Sequence, residues 1–303
     1  MKPTISLLGF PMDLGADRRG VDMGPSAIRI ADIAGRLTAL GYTVADEGDI
    51  QVKTQEVQTI KDPTLKYLPE IRRACERLAK SVKSILDRDR FPLILGGDHS
   101  MSIGSLAGIS AHCRENNKRL GVVWIDAHAD MNTPDSTPSG NIHGMPLSVS
   151  LGYGTPLLTN IMGFAPKLDP TNVALVGIRS VDPGERTLIK SCKVQAYTMP
   201  DLDKKGMYAV MKNVLRHMKE HVDHLHVSFD LDSVDPTLVK GVGTPVPGGL
   251  SYREIHLAME MIAESGLLRS LEVAEVNPIL DDKNSSAIFA CDVVASTMGK
   301  NIL

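Results

Sequence analysis

Eight short runs of β-branched and apolar residues alternate with segments of helical periodicity, and this alternation limits the folds open to the chain. A run such as 225–230, LHVSFD, is apolar along most of its length, which indicates a strand buried on both faces. Strands that alternate with helices predict right-handed βαβ units and a parallel sheet covered on both faces by helices. The predicted strands are Thr4–Phe10, Tyr42–Asp46, Pro92–Gly96, Gly121–Asp126, Asn172–Ile178, Lys193–Tyr197, Leu225–Asp230 and Ser270–Val276.

Six segments have the apolar spacing of helices. No linker rich in Pro, Gly or Ser divides the chain and no internal repeat is visible, so we expect residues 1–303 to form one α/β domain. The polar stretches 47–66 and 131–146 are predicted loops, and the length of the second indicates a functional role. The predicted helices are Ser26–Leu40, Leu68–Arg88, Met101–Asn116, Lys205–His221, Tyr252–Ser265 and Ser285–Gly299.

The composition is ordinary for a globular protein and excludes several functional classes. Hydrophobic residues make up 43% and charged residues 23% of the chain, and the net charge of −3 gives no basic excess for binding nucleic acid. No segment has the roughly 18 consecutive apolar residues of a membrane span. The 4 cysteines are far apart and form no CxxC pair, which favours buried reduced thiols and a cytoplasmic location.

Six side chains of the kinds that bind metals occur in three clusters, each directly after a predicted strand. Four carboxylates would balance the charge of two divalent cations, and an oxygen-rich set with few imidazoles suits Mn²⁺ better than zinc. A DxD motif alone is more often a cap or turn, so the prediction depends on the three clusters together. The clusters are GGDHS with His99, DAHAD with Asp126, His128 and Asp130, and SFDLDSVDP with Asp230 and Asp232.

The clusters are expected to converge, because ligands in an open α/β sheet bind beyond the carboxyl ends of its strands. If the backbone stays extended, alternation points Asp126, His128 and Asp130 in one direction and aligns Asp230 with Asp232. Two metals roughly 3.5 Å apart can share a water, lower its pKa and hold it as hydroxide near neutral pH. The sequence therefore predicts a binuclear metal hydrolase.

Two further residues are candidates for the chemistry, and each has a competing structural interpretation. His143, in SGNIHGMP, could act as a general acid or proton shuttle, or it could be a loop histidine bonded to backbone. Glu275, in EVNP, ends an apolar strand, where a buried carboxylate needs a cationic partner. That partner is either the guanidinium of a ligand or an arginine of the protein.

Two other features favour structural roles. The segment 217–226, HMKEHVDHLH, contains four histidines, but no Glu follows His217 as HExxH requires, and His226 belongs to the next strand. The loop 241–249, GVGTPVPGG, lacks both GxGxxG and a following GK[ST], so it predicts a turn that shapes the site and not a phosphate loop.

Taken together, the motifs resemble those of the arginase branch of the ureohydrolases, in its bacterial form. The resemblance extends from LGFPMDLGADRRGVDMGPSAIR to EVNPILD, with the metal clusters, SGNIHGMP and EVNP in the family's order and spacing. It implies a three-layer α/β/α domain with an eight-stranded parallel sheet. It also implies hydrolysis of L-arginine to L-ornithine and urea by a hydroxide that bridges two Mn²⁺ ions per subunit, and a homo-oligomer, since the family forms trimers and hexamers.

The resemblance also implies a role for each site residue. One Mn²⁺ is expected at His99, Asp126, Asp130 and Asp230, and the other at Asp126, His128, Asp230 and Asp232. His143 would transfer a proton to the leaving ornithine amine, Glu275 would position the substrate guanidinium, and Asp130 is counted among the catalytic residues as well. For the substrate, the implied contacts are Asn132, Ser139 and Asn141 with the α-carboxylate, Asp182 and the nearby Glu185 with the α-ammonium, and Thr244 near the guanidinium.

Two alternatives remain open at this point. Another guanidino-hydrolase, such as an agmatinase or guanidinobutyrase, would share the metal clusters, but agmatinases typically replace the SGNxHG loop. A catalytically silent, arginase-like regulatory subunit would be expected to have lost ligands, and all six are present here. Ala129 of DAHAD departs from the Gly or Thr common in relatives, at a position expected to point away from the metals.

Overall fold

A computed structural model of the chain describes residues 2–16 and 18–301. All the strands in these residues pair in parallel and form one eight-stranded sheet in the order β2-β1-β3-β8-β7-β4-β5-β6. The predicted α/β class, with eight parallel strands in one domain, is confirmed. The strands are β1 Ile5–Phe10, β2 Val44–Asp49, β3 Phe91–Gly96, β4 Leu120–Ile125, β5 Val173–Ile178, β6 Gln195–Thr198, β7 His224–Asp230 and β8 Leu268–Ala274.

The helices agree with the prediction along most of the chain, with instructive exceptions. The predicted helix 26–40 is two helices, because Asp32 has a left-handed φ of 62° and caps the second one through Gly35 N. Four helices between residues 146 and 205 were not predicted. The helices are α1 Gly24–Ile30, α2 Ile33–Ala39, α3 Leu68–Asp87, α4 Met101–Glu115, α5 Pro146–Ser150, α6 Pro156–Thr159, α7 Pro183–Ser191, α8 Met199–Lys205, α9 Met207–His221, α10 Tyr252–Ser265 and α11 Ser285–Thr297.

The hydrophobic core lies on both faces of the sheet. Residues of α1, α2, α9, α10 and α11 pack in one buried cluster, and residues of α3 and α4 pack in the other. Three of the cysteines, Cys75, Cys113 and Cys291, are free and buried as predicted, whereas Cys192 is free but partly exposed. Within residues 2–16 and 18–301, no helix has the length and apolar character needed to cross a membrane.

The sheet order brings the sequence motifs to one edge. Strands β3, β8, β7 and β4 are neighbours, and GGDHS, EVNP, DLDS and DAHAD lie at their carboxyl ends in that order. The convergence expected from the parallel topology is therefore present.

Candidate active site

One pocket at this edge gathers the predicted site residues. All of them line it except Asp126, which lies beneath its floor and has no exposed surface. Residues of the metal clusters, residues of the loop 132–144, Asp182 and Glu275 line the pocket together. Its lining is polar and charged, which suits a small ionic substrate.

The first metal-capable group surrounds the imidazole of His99. The Nδ1 atom lies 3.1 Å from Asp126 Oδ2, 3.0 Å from Asp130 Oδ2 and 2.9 Å from Asp230 Oδ2. It is buried and forms no hydrogen bond with any of them. His99, Asp126 and Asp230 could together hold one ion.

The second group shares Asp126 with the first and adds His128 and Asp232. The Nδ1 atom of His128 lies 3.1 Å from Asp232 Oδ2 and 3.5 Å from Asp126 Oδ1. Asp232 also accepts a hydrogen bond of 2.9 Å from Thr244 Oγ1, which orients the carboxylate. Asp126 is therefore the residue common to the two metal-capable groups.

The electrostatics of the two groups fit divalent cations. Burial and the charges of neighbouring carboxylates raise the pKa of Asp230 and Asp232, and they raise the pKa of Asp130 to about 6. Burial lowers the pKa of His128, but Asp232 and Asp126 raise it to about 12. Crowded carboxylates in a buried site call for positive charge that two imidazoles cannot fully supply, and their oxygen atoms suit ions such as Mn²⁺.

The backbone at the ligands is not extended, so the condition for the predicted alignment of Asp126, His128 and Asp130 is not met. The side chains nevertheless converge. Asp130 has a left-handed φ of 54°, and His128 N donates to Asp126 Oδ1 at 2.7 Å. Leu231–Ser233 forms a 3₁₀ turn, in which Asp232 N donates to Asp230 Oδ1 at 2.8 Å. Tight turns stabilised by the carboxylates themselves thus bring the ligand atoms together. Ala129, the residue of DAHAD that differs from the family pattern, is packed in the core, away from the pocket.

Glu275 has one oxygen engaged and one free. Its Oε1 accepts hydrogen bonds from His99 N at 3.0 Å and His143 Nδ1 at 3.1 Å, while its Oε2 is buried and has no partner among the described residues. Within the described part of the chain, no arginine forms an ion pair with it, so the structural salt bridge considered above is absent. A Cβ added at Gly243 would lie 3.3 Å from Oε2, so the glycine leaves room beside the free oxygen.

His143 is in a position to hold a proton. Burial lowers its pKa, but the hydrogen bond and charge of Glu275, followed by Asp130 and Asp98, raise it to about 9. The competing interpretation, a histidine bonded only to loop backbone, does not hold, because its ring contacts a carboxylate.

Hydrogen bonds connect the loop after DAHAD, at residues 131–132, to the start of α7. Asn132 Nδ2 donates to Asp182 Oδ2 at 2.9 Å. Glu185, which is buried, accepts from Met131 N at 2.9 Å and from Asp182 N at 2.8 Å, and burial raises its pKa to about 7. Both Glu185 oxygens are thus occupied by backbone N–H groups, so this carboxylate connects the two predicted substrate-binding segments.

The other two loop residues are held by local and long-range contacts. Asn141 N donates to Ser139 Oγ at 3.2 Å, and Asn141 Nδ2 donates to Ala16 O at 3.1 Å. Asn141 Oδ1 is buried, and no residue in the described ranges bonds to it.

Asp98 is a residue that motif reasoning missed. It is buried and accepts from Gly15 N at 2.7 Å, Ala16 N at 3.3 Å and Ser100 N at 3.0 Å. Burial and the charge of Glu275 raise its pKa to about 7. The carbonyl of Gly15 accepts from His143 N, so Asp98 positions the amino-terminal loop against the pocket. Its signal was a carboxylate directly before the predicted ligand His99 in the GGDHS turn.

Trp124 and Arg179 also support the site and were not predicted to do so. Trp124 Nε1 donates to Asp126 Oδ2 at 2.9 Å, and its ring stacks on His99 with 4.3 Å between centroids. The Arg179 guanidinium donates to the carbonyls of Asp232, Ser233 and Val246, which ties the Asp232 turn to the loop 241–249.

The histidines of 217–226 have other partners. His217 and His221 contact backbone carbonyls, and His224 and His226 both contact Ser270 Oγ.

The comparisons with known proteins agree with this geometry. The sequence model described as "Arginase family" matches residues 3–299. The chain belongs to the arginase family. It is 50% identical to the arginase of Bacillus caldovelox and to that of Bacillus subtilis (strain 168), over the full length of each pair.

Solved structures extend the comparison. Arginase from Bacillus caldovelox superposes with a TM-score of 0.96 at 49% identity, covering 100% of both chains. Entamoeba histolytica arginase, in complex with L-ornithine, has a TM-score of 0.89 at 30% identity and covers 98% of this chain and 99% of its own. Membership of this arginase family makes the chain a hydrolase.

Proposed function

We propose that the chain hydrolyses L-arginine to L-ornithine and urea with two Mn²⁺ ions, and that residues 1–303 form one catalytic domain. The observation that carries the proposal is the sharing of Asp126 between two metal-capable groups at the floor of a pocket that also holds the free Glu275 oxygen. A carboxylate of this kind is a suitable partner for a planar guanidinium.

The proposed ligands divide into two sets. One ion would be held by His99, Asp126, Asp130 and Asp230, and the other by Asp126, His128, Asp230 and Asp232. The contacts of His99 Nδ1 with three carboxylates support the first set, and those of His128 support the second. When bound, the ions supply the charge that lowers the pKa of a water molecule and makes it the nucleophile.

The side chains around the ions bind and orient the substrate. Glu275 Oε2 accepts from the guanidinium and holds its carbon over the floor of the pocket. Asn132, Ser139 and Asn141 face the α-carboxylate, and Asp182 with Glu185 provides the negative charge for the α-ammonium. Thr244 contributes by fixing the carboxylate of Asp232.

His143 completes the reaction. Water adds its oxygen to the guanidinium carbon, the bond from that carbon to Nε breaks, and the departing ornithine amine requires a proton. A His143 ring that carries its proton, next to Glu275, can donate it.

Urea release after loading with Mn²⁺ tests the proposal. We expect release from L-arginine and much slower release from agmatine and guanidinobutyrate, because each lacks an α-group that the pocket is built to bind. Equal rates with agmatine would contradict the substrate assignment, and no release from any guanidino compound would contradict the activity itself.

His143→Ala is expected to lower kcat by about 10²–10⁴-fold, the usual contribution of a general acid. Both metal ions should remain bound, because His143 belongs to neither ligand group. Turnover of L-arginine and metal content by elemental analysis check the two halves of this prediction. Loss of one ion would mean that His143 is a ligand.

Gly184→Ala is expected to raise KM for L-arginine with little change in kcat or metal content. A Cβ at Gly184 would lie 2.4 Å from Ser136 Cβ, so α7 must move away from the loop that carries Asn132. Overpacking of this kind costs about 1–3 kcal/mol. Thr187→Ala, exposed on the same helix, is the control and should keep the wild-type KM. An unchanged KM in Gly184→Ala would mean that the contact between α7 and the loop that carries Asn132 does not shape the substrate site.

We further propose a cytoplasmic homo-oligomer. The free cysteines support a reducing compartment, and the oligomer is supported by the family resemblance. Fractionation of cells and analytical ultracentrifugation of the purified protein test the two statements.

A further inference from the structure

A buried polar network lies next to His99, where strands β7 and β8 meet helix α4. Its centre is Glu272 on β8, which has no exposed surface and accepts hydrogen bonds from the hydroxyls of Ser102, Ser105 and Ser228. The imidazole of His226, also fully buried, has its Nε2 3.3 Å from Glu272 Oε1. None of these groups lines the pocket, and the proposed reaction uses none of them. Burying a carboxylate such as that of Glu272 costs free energy unless its oxygens are hydrogen-bonded, so we asked which groups those hydrogen bonds orient.

The hydrogen bonds in this network have a fixed direction. Three hydroxyls donate to the Glu272 oxygens, and although burial raises the pKa of Glu272, the neighbouring His226 and these hydrogen bonds lower it to about 2, so the carboxylate can only accept. Ser228 therefore uses its single hydroxyl hydrogen on Glu272 Oε1, 2.7 Å away. The Ser228 oxygen can then only accept from His99 Nε2, which lies at 2.7 Å.

This direction determines which nitrogen of His99 is free to bind a metal. A neutral imidazole with its hydrogen on Nε2 has its lone pair on Nδ1. That atom faces Asp126, Asp130 and Asp230 and forms no hydrogen bond. Imidazoles that ligate metals generally depend on a partner for the other ring nitrogen.

We propose that Glu272 is a positioning residue that fixes the tautomer and the ring orientation of His99 through Ser228. The ring of Trp124 stacks on the face of the His99 imidazole, and Ser228 contacts Nε2 at its edge. The inference rests on the proposed function, because it takes His99 as a metal ligand. It adds Ser228 on β7 and Glu272 on β8 as residues that affect metal binding through His99 without contacting the metal.

Titration of the metal-free protein with Mn²⁺, followed by electron paramagnetic resonance of the free ion, tests the proposal. Glu272→Gln preserves shape but replaces an obligate acceptor with a group that can also donate. We expect about 10–100-fold weaker binding at one of the two positions, the one that His99 serves, and a smaller effect at the other. Unchanged binding, or equal weakening at both positions, would overturn the proposal.

Ser105→Ala is the matched control. Ser105 donates to the other oxygen of Glu272, away from the path to His99, so the variant also loses a buried hydrogen bond to this carboxylate. We expect both ions to bind as in the wild type. Weakening as large as that in Glu272→Gln would mean that loss of any hydrogen bond to Glu272 has this effect, whether or not it lies on the path to His99, and would overturn the proposal.

A double-mutant cycle tests the route through Ser228. If Glu272 acts through this hydroxyl, Glu272→Gln should change Mn²⁺ affinity by less than about twofold once Ser228→Ala is present, and additive effects would overturn the proposal. If Glu272→Gln does not fold, Glu272→Gln with His226→Gln replaces both side chains of this buried pair and takes its place in the cycle. Wild-type protein that binds no Mn²⁺ would overturn the proposed function, whereas normal wild-type binding with unchanged binding in the variants would overturn this inference alone.

Discussion

Replacing Asp126 with Asn is expected to remove Mn²⁺ from both positions and to abolish measurable urea release. Asp126 is the residue common to the two metal-capable groups, with Oδ2 facing His99 and Oδ1 facing His128. Loss of an outer partner of a ligand typically costs 10–100-fold in metal affinity, and loss of a shared ligand should cost more than about 100-fold at each position. Elemental analysis and Mn²⁺ titration measure the loss.

Thermal unfolding gives a second measure of the same change. An ion that binds only the folded chain raises Tm in proportion to the logarithm of its concentration over Kd. Added Mn²⁺ should therefore raise the Tm of the wild type and leave that of Asp126→Asn nearly unchanged. Asp98→Asn removes a buried carboxylate outside both groups and should retain the Mn²⁺ response. Two ions bound with wild-type affinity in Asp126→Asn would rule out a shared role for this residue.

The convergence of the metal clusters could be predicted because it depends on topology alone. Alternating strands and helices require parallel strands, and the residues that follow parallel strands meet at one edge of the sheet. His99, Asp126 and Asp230 each lie within three residues of a strand end, so small errors in the strand boundaries did not affect the prediction.

The conformation of the ligand turns could not be predicted from local pattern. Asp130 adopts a left-handed φ, and its carbonyl accepts hydrogen bonds from Leu147 N and Ser148 N of α5. Those partners follow a long loop, and the residues near DAHAD do not determine the path of that loop. Alternation assumes an extended chain, and long-range contacts replaced it with a turn.

Helix α7 was missed for a different reason. Its first turn has a capping box, with Asp182 as the cap and Glu185 reaching back to the cap N–H, and Pro183 stands at the first helical position. These signals are present in DPGE, but the helix is short, and apolar periodicity is weak evidence over so few residues.

The buried carboxylates Asp98 and Glu272 were missed because their partners are distant in sequence. Asp98 bonds to a loop 83 residues earlier, and Glu272 bonds to Ser102, 170 residues earlier. Locally, Asp98 is one polar residue of the GGDHS turn and Glu272 is one charged residue inside a strand. Only the assembled sheet shows that such a charge is solvated by hydroxyl or amide groups.

Glu275→Gln is expected to lower kcat/KM for L-arginine while both metal ions stay bound. The amide keeps the acceptor oxygen for His99 N and His143 but loses the negative charge that would face the guanidinium. Removing one charge of a buried, hydrogen-bonded pair costs about 2–5 kcal/mol, or roughly 30-fold to several-thousand-fold in kcat/KM. Unaltered kcat/KM would show that Glu275 does not hold the substrate.

The pH dependence separates this electrostatic role from a steric one. The hydrogen bond and charge of Glu275 are the leading causes that raise the pKa of His143, so their loss should lower that pKa. A general acid works only while protonated, and kcat therefore falls as pH rises through its pKa. In Glu275→Gln the alkaline limb of the kcat profile should move to lower pH, whereas Glu275→Asp, which retains the charge, should show a smaller shift. A variant that loses activity equally at every pH would indicate displaced substrate without any effect on His143, so the two profiles decide whether Glu275 serves both partners.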